Sequence, residues 1–208
     1  MKLLKFSNKI EYLEDLQQGK LFMNGINYFR KLEKEEQGDK NDGILCIDNT
    51  LLTIENKDET FTFKTSECKI ALTENYPIFC MSAIEDDLLN KKYYEMFKKY
   101  FGCYFFLFEN PLTFIESFNH FCENNNYAYM LGPITYIDKN FSLSKKDFDE
   151  IYFRKDIHYS YQNEFRLLIQ ESNLINSKGY AFINLGMSYK GHLYKIDTNN
   201  ELKLLKIY

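Results

Sequence analysis

The chain has 208 residues, a formal net charge of −4, 45% hydrophobic and 17% aromatic residues, no Trp, 3 Pro and 9 Gly. That length and apolar content suit one domain with a substantial core, and the scarcity of Pro and Gly excludes a disordered or linker-rich chain. The negative balance excludes an overall basic field, so direct nucleic-acid binding is not expected.

Residues 2–6 read as a first strand. Ser7 or Asn8 is expected to cap a helix with Ile10, Leu13 and Leu16 on one face, ended by Gly19. A second strand spans 20–24. Residues 26–36 are weakly helical and run into a polar loop at 37–43. Residues 44–48, 51–55 and 60–65 have strand length and pattern, separated by turn chemistry at 49–50 and 56–59. They predict a β-meander inserted across 44–66. A strand at 76–82 follows, then a helix opened by Asp86 or Asp87 and running through Leu89, Tyr93, Met96, Phe97 and Tyr100 to Gly102.

Residues 103–108 are all apolar and predict a central strand buried on both faces. Asn110-Pro111 is an N-cap followed by Pro at the first helical position, and the helix runs through Leu112, Ile115, Phe118 and Cys122. Residues 127–138 are extended and broken at Gly132-Pro133. Ser144 with Asp147 forms a capping-box start for a helix through Phe148, Ile151 and Tyr152. Strands follow at 165–170 and 180–185, and 193–197 pairs with 202–207 as a terminal hairpin. The pattern predicts a single α+β domain over 1–208, with mainly antiparallel strands and three to five helices.

Cys46, Cys68, Cys80, Cys103 and Cys122 are odd in number and lack a CxxC, so neither a disulfide framework nor a zinc site is indicated. No metal is predicted. There is no signal-peptide pattern, and the longest apolar run is far too short to span a bilayer. A cytoplasmic protein without a membrane partner is expected.

Only three of the 26 basic residues are arginines, and each follows a phenylalanine: Arg30, Arg154 and Arg166. Arg supplies a planar fork that Lys cannot replace at a bidentate site. Arg30 and Arg166 lie beside the segments richest in carboxylates and turn glycines. They are expected to line one cleft with Glu164 between them, whereas Arg154 reads as a residue on a helix face. The segment 158–169 is the richest in candidate chemistry. Glu164 at the mouth of a strand, with Gln162 two residues earlier, can aim both side chains at one ligand. Such a carboxylate stabilises positive charge developing on a sugar carbon. A structural alternative pairs Glu164 with Arg154, Arg166 or Lys155 on a solvated edge. His158 has the best claim of the histidines to the same site. The 37–43 loop offers Asp39 and Asp42 as further contacts; its spacing is not that of an EF-hand. A metal-dependent nuclease using Asp39, Asp42 and Glu164 is a third reading.

Three motifs carry a resemblance. Gln162-x-Glu164 before an apolar strand resembles the C-terminal glutamate motif of ADP-ribosyltransferases. Residues 77–82, Pro-Ile-Phe-Cys-Met-Ser, resemble their middle strand. The strand bearing Lys5-Phe6, with a short helix and Gly19-Lys20-Leu21-Phe22, resembles their opening. The same order also resembles an uncharacterised family of small bacterial and phage cytosolic proteins. The resemblance implies an ADP-ribosyltransferase-like fold binding NAD or a nucleotide-like ligand. It implies Glu164 and Gln162 as catalytic residues, Lys5 or Arg30 on phosphate, Phe79 and Ser82 along the ligand, and Tyr159 or Tyr161 stacked on nicotinamide. Arg166 and His158 complete the implied ligand set. The setting implied is bacteria–phage conflict. The alternative is a non-enzymatic phage or mobile-element protein, such as an anti-CRISPR-type inhibitor of a host defence nuclease, binding a protein partner through its acidic, tyrosine-rich surface.

Overall fold

The computed structural model describes residues 1–32, 42–55, 60–71, 73–85, 89–137 and 150–208, with backbone alone for 45–55 and 60–71. The strands are β1 (Lys2–Ser7), β2 (Lys20–Gly25), β3 (Ile44–Glu55), β4 (Thr60–Ala71), β5 (Pro77–Ile84), β6 (Tyr104–Phe108), β7 (Tyr129–Pro133), β8 (Thr135–Ile137), β9 (Arg154–Asp156), β10 (Glu164–Ile169), β11 (Tyr180–Asn184), β12 (Gly191–Ile196) and β13 (Leu202–Ile207). The α-helices are α1 (Ile10–Gln17), α2 (Ile26–Lys31), α3 (Lys91–Tyr100) and α4 (Pro111–Asn124), with 3-10 turns at Ile151–Phe153, Ile157–Gln162 and Ser172–Leu174. The fold is α+β, as the sequence pattern predicts.

The main sheet runs β11-β2-β5-β1-β6-β12-β13, with β10 and then β7 added through β5. All its pairings are antiparallel. Central strands are apolar on both faces because both are covered. On β1, Leu3 packs with Leu13 and Leu16 of α1 and with Phe114 and Phe118 of α4, while Leu4 packs with Tyr93, Tyr94 and Phe97 of α3. A third cluster joins Ile26 of α2 to Ile78, Leu168 and the Ile151–Phe153 turn.

One strand arrangement creates the site. One edge of β5 carries β10, from Glu164↔Ser82 to Leu168↔Ile78. The other edge carries two strands at its two ends: β1 at residues 82–84 and β2 at residues 77–78. Between them, no strand among the described residues lies on that edge of the Phe79–Met81 stretch of β5. The sheet therefore forks, and α1 connects the two prongs. Gly19 allows the tight return from α1 into β2. Its φ is +79°, and a Cβ there would lie 2.2 Å from the Met187 carbonyl oxygen.

Several local expectations are corrected. The 44–66 meander is a single long hairpin, because Asn49-Thr50 lies inside a continuous ladder from Ile44↔Ala71 to Glu55↔Thr60. Helix α2 ends at Lys31, since Leu32 is extended at ψ 119°. Helix α3 starts later than the Asp86–Asp87 pair: Asn90 is its cap, accepting the Tyr93 N–H at 3.1 Å. Helix α1 has Lys9 at its N-cap position, with no side-chain cap. Ile151 and Tyr152 sit in a 3-10 turn; Ser144, Asp147 and Phe148 lie outside the described residues. Arg154 is on β9 and 8% exposed, not on an open helix face.

Gly19→Ala is expected to cost about 1–3 kcal/mol, from positive φ and backbone overlap together. A urea-denaturation midpoint unchanged from wild type would contradict this account of the return.

Candidate functional site

The strongest polar feature is a buried ion cluster on β10. Arg166, 0% exposed, grips the Asp42 carboxylate bidentately, Nη1 to Oδ1 at 2.8 Å and Nη2 to Oδ2 at 3.1 Å. Its Nη1 also donates to the Tyr152 carbonyl at 2.6 Å, and its Nε donates to Glu164 Oε1 at 2.8 Å. The other Glu164 oxygen accepts from Lys155 Nζ at 2.8 Å, and that ammonium also donates to Gln162 Oε1 at 2.9 Å. Asn163 makes the turn into β10 at φ 44°, a conformation Asn tolerates. The Glu164 N–H then donates to the Tyr136 hydroxyl at 2.8 Å.

These charges survive burial because each is matched. Burial alone would raise the Glu164 carboxyl, but Arg166 and Lys155 together outweigh it and hold it well below the usual carboxylate range. Burial opposes the charge on Arg166, yet Asp42 and Glu164 raise it further. Burial pushes the Cys80 thiol up to about 12, which leaves it protonated at neutral pH.

The fork opens as a cleft of about 550 Å³. Glu164 and Gln162 line it from β10 and the turn before it; Phe79, Cys80 and Ser82 line it from β5; Lys5 lines it from β1. Lys5 Nζ donates to the unladdered Cys80 carbonyl at 2.6 Å and lies 4.3 Å from the Phe79 ring centroid. An ammonium has three donors, and among the described residues no other acceptor takes the remaining two. Burial pushes this ammonium's pKa down, against weaker opposing pulls from Cys80 and Glu164. Among the described residues, Lys5, Lys9, Lys20 and Lys178 line the cleft against one carboxylate, Glu164. The acidic chain thus has a locally cationic cleft with aromatic walls, including Phe29 and Tyr180.

The structure sorts the expected site residues into two groups. Lys5, Phe79, Ser82, Gln162 and Glu164 meet in the cleft. Arg30, Arg166, His158, Tyr159 and Tyr161 are not among its lining residues. Arg30 and Arg166 do converge, but Asp42-Gly43 lies between them, not Glu164: Arg30 holds the Asp42 carbonyl at 2.7 Å and the Gly43 carbonyl at 3.2 Å. Tyr161 packs with the Phe6, Phe97 and Phe105 cluster. Tyr159 faces the Lys155 ammonium at 5.0 Å and the His158 ring at 5.4 Å. Asp39 lies outside the described residues. Glu164 does pair with Arg166 and Lys155, but in the interior and not on a solvated edge. No cluster of His, Cys, Asp and Glu suited to a metal occurs among the described residues. No helix among the described residues is long and apolar enough to cross a membrane.

Sequence reasoning missed the cleft's outer aromatics, Tyr12, Phe22 and Tyr180. The available signal was Phe22 at an outward strand position between fully buried Leu21 and Met23. Comparison of the chain with protein-family models, curated proteins and solved structures finds no match.

Arg166→Met should destabilise the protein by about 3–5 kcal/mol, since it strands both Asp42 and Glu164 in the interior; chemical denaturation reads this directly. Glu164 is depressed in the folded state, so its contribution is fully present above the unfolded glutamate value of about 4.3 and is lost as pH falls toward the folded value. Glu164→Gln is therefore expected to be less stable than wild type at neutral pH and to lose less stability than wild type between about pH 5 and about pH 2. Parallel acid limbs for the two proteins would rule out this coupling.

Proposed function

We propose that the cleft binds a nucleotide-like ligand and that the protein is ADP-ribosyltransferase-like, with NAD as ligand and a role in bacteria–phage conflict. The observation that carries the binding reading is the Lys5 ammonium, which among the described residues uses one of its three donors, beside the fixed Glu164 carboxylate inside an aromatic-walled cleft rich in lysine. The unused Lys5 donors suit a phosphate oxygen. The rings suit planar bases. NAD, the ligand implied by the motif resemblance, has both kinds of group. The phage setting rests on that resemblance.

Within this reading, Glu164 acts through its charge. Both its oxygens already accept from Arg166 and Lys155, and its acidity is far from that of a base at neutral pH. When the bond between a ribose carbon and nicotinamide nitrogen breaks, the electron pair leaves with nitrogen and positive charge grows on the sugar. A rigid carboxylate favours that charge without reorganising. Lys155, itself held by the Gln162 amide oxygen, fixes one oxygen of the carboxylate, and Gln162 stands beside it to orient an acceptor. Ser82, the Cα partner of Glu164, shares the cleft wall.

The test is nicotinamide release from NAD, followed by chromatography. Glu164→Gln, confirmed as folded, should lower the rate by about 100-fold or more, a typical loss for a transition-state electrostatic contact, while NAD binding persists. Lys5→Met should weaken NAD binding by about tenfold or more, the worth of one charge-assisted hydrogen bond. Unchanged turnover in Glu164→Gln would remove the catalytic reading; unchanged affinity in Lys5→Met would remove the phosphate assignment.

The second reading, a non-enzymatic binding protein, draws on β13. This terminal strand of the sheet exposes Leu202, Leu204 and Ile207. An open apolar edge can accept a partner's strand. It is favoured if no nucleotide binds and a charge placed at Leu204 abolishes complex formation with the target nuclease.

A further inference from the structure

The cleft has a buried half and an exposed half, and the second is not explained by Glu164 or Lys5. Phe79 and Glu164 are 4% and 5% exposed, whereas Tyr12 and Phe22, in the same cleft, are 50% and 38% exposed. These two rings are parallel within 4° at 6.0 Å, and Phe22 meets Tyr180 at 4.4 Å. The three form a continuous aromatic strip supplied by α1, β2 and β11. Packing does not require it, because Phe22 points outward from a strand whose neighbours Leu21 and Met23 already fill the core.

The strip is bordered by cations. Lys9 Nζ lies 5.3 Å from the Tyr12 ring centroid, Lys20 is paired with Asp15 at 3.0 Å, and Lys178 lines the same cleft. Exposed rings beside lysines offer stacking faces and phosphate contacts together.

We propose that this outer half is a stacking subsite for a second base, so that the ligand is bipartite: two heteroaromatic groups joined through phosphates. The inference rests on the nucleotide reading above and specifies it. One base stacks on the Tyr12–Phe22–Tyr180 strip, with Lys178 beside its phosphate, while the other nucleoside reaches the Lys5–Glu164 half. A mononucleotide fills one half only.

Calorimetric titration of NAD, AMP and nicotinamide mononucleotide into wild type and Phe22→Ala tests this. Phe22 is part-exposed, and a thermal melt checks that the variant folds; Tyr180→Leu should repeat the pattern. Loss of one base–aromatic stack should weaken AMP and NAD by about tenfold and leave nicotinamide mononucleotide within about twofold. If wild type binds nucleotides but Phe22→Ala weakens none of them, or all equally, the subsite is wrong and the nucleotide reading stands. If wild type binds none of the three, both fall. Tighter binding of an eight-nucleotide single strand than of NAD, lost in Phe22→Ala, would overturn the proposal in favour of a strand-binding surface.

Discussion

Arg166 ties together parts of the chain that no strand ladder joins. It sits within the sheet on β10, yet its guanidinium reaches the Asp42 carboxylate, the Tyr152 carbonyl and Glu164 at once. Lysine could not do this, because a point charge cannot form the bidentate pair with Asp42 while keeping a third donor on Glu164. The turn that carries Asp42 is fixed from its other side by Arg30, which takes the Asp42 and Gly43 carbonyls. Two of the three arginines thus clamp one turn against the sheet, and Glu164, set by its ladder with Ser82, shares the same guanidinium.

The cluster also sets the chemical character of the cleft. An isolated carboxylate at this depth would take up a proton. Arg166 and Lys155 keep Glu164 charged, and Gln162 and Tyr136 occupy the neighbouring polar positions. Lys5 stands in a different relation to its surroundings. Its ammonium rests on a backbone carbonyl that is open only because β1 and β2 leave the Phe79–Met81 stretch of β5 without a ladder on that edge. The same gap admits the ligand-sized space and supplies the acceptor that positions its lysine. Fork, exposed carbonyl and buried amine are therefore one feature of the topology.

Much of the secondary structure was legible from local chemistry. Asn110-Pro111 opens α4, Gly19 ends the α1 region, and the apolar run around Phe105 and Phe106 forms a central strand. The failures have physical causes. A polar pair such as Asn49-Thr50 breaks a strand only when its neighbours do not extend the ladder, and here they do. The start of α3 turned on which of several Asp and Asn residues caps it, and a cap is chosen by packing of the following turn. In the site, Gln162 and Glu164 do converge on one group, as their spacing allows. That group is the protein's own Lys155, seven residues before Gln162 and on a separate short strand. Nothing in the spacing distinguishes an internal cation from a bound one.

By itself the sequence determined the α+β class, the principal strands and helices, and the prominence of Glu164, Lys5 and the arginines. These depend on periodicity, capping and residue chemistry, which act over a few residues. Only the tertiary structure decided that Arg30 and Arg166 meet across Asp42, that Glu164 is matched in the interior, and that Tyr12, Phe22 and Tyr180 form one strip. Two of those relations join residues far apart in the chain, Asp42 with Arg166 and Phe22 with Tyr180. Which strand leaves β5 open is a choice among pairings that local propensity does not rank.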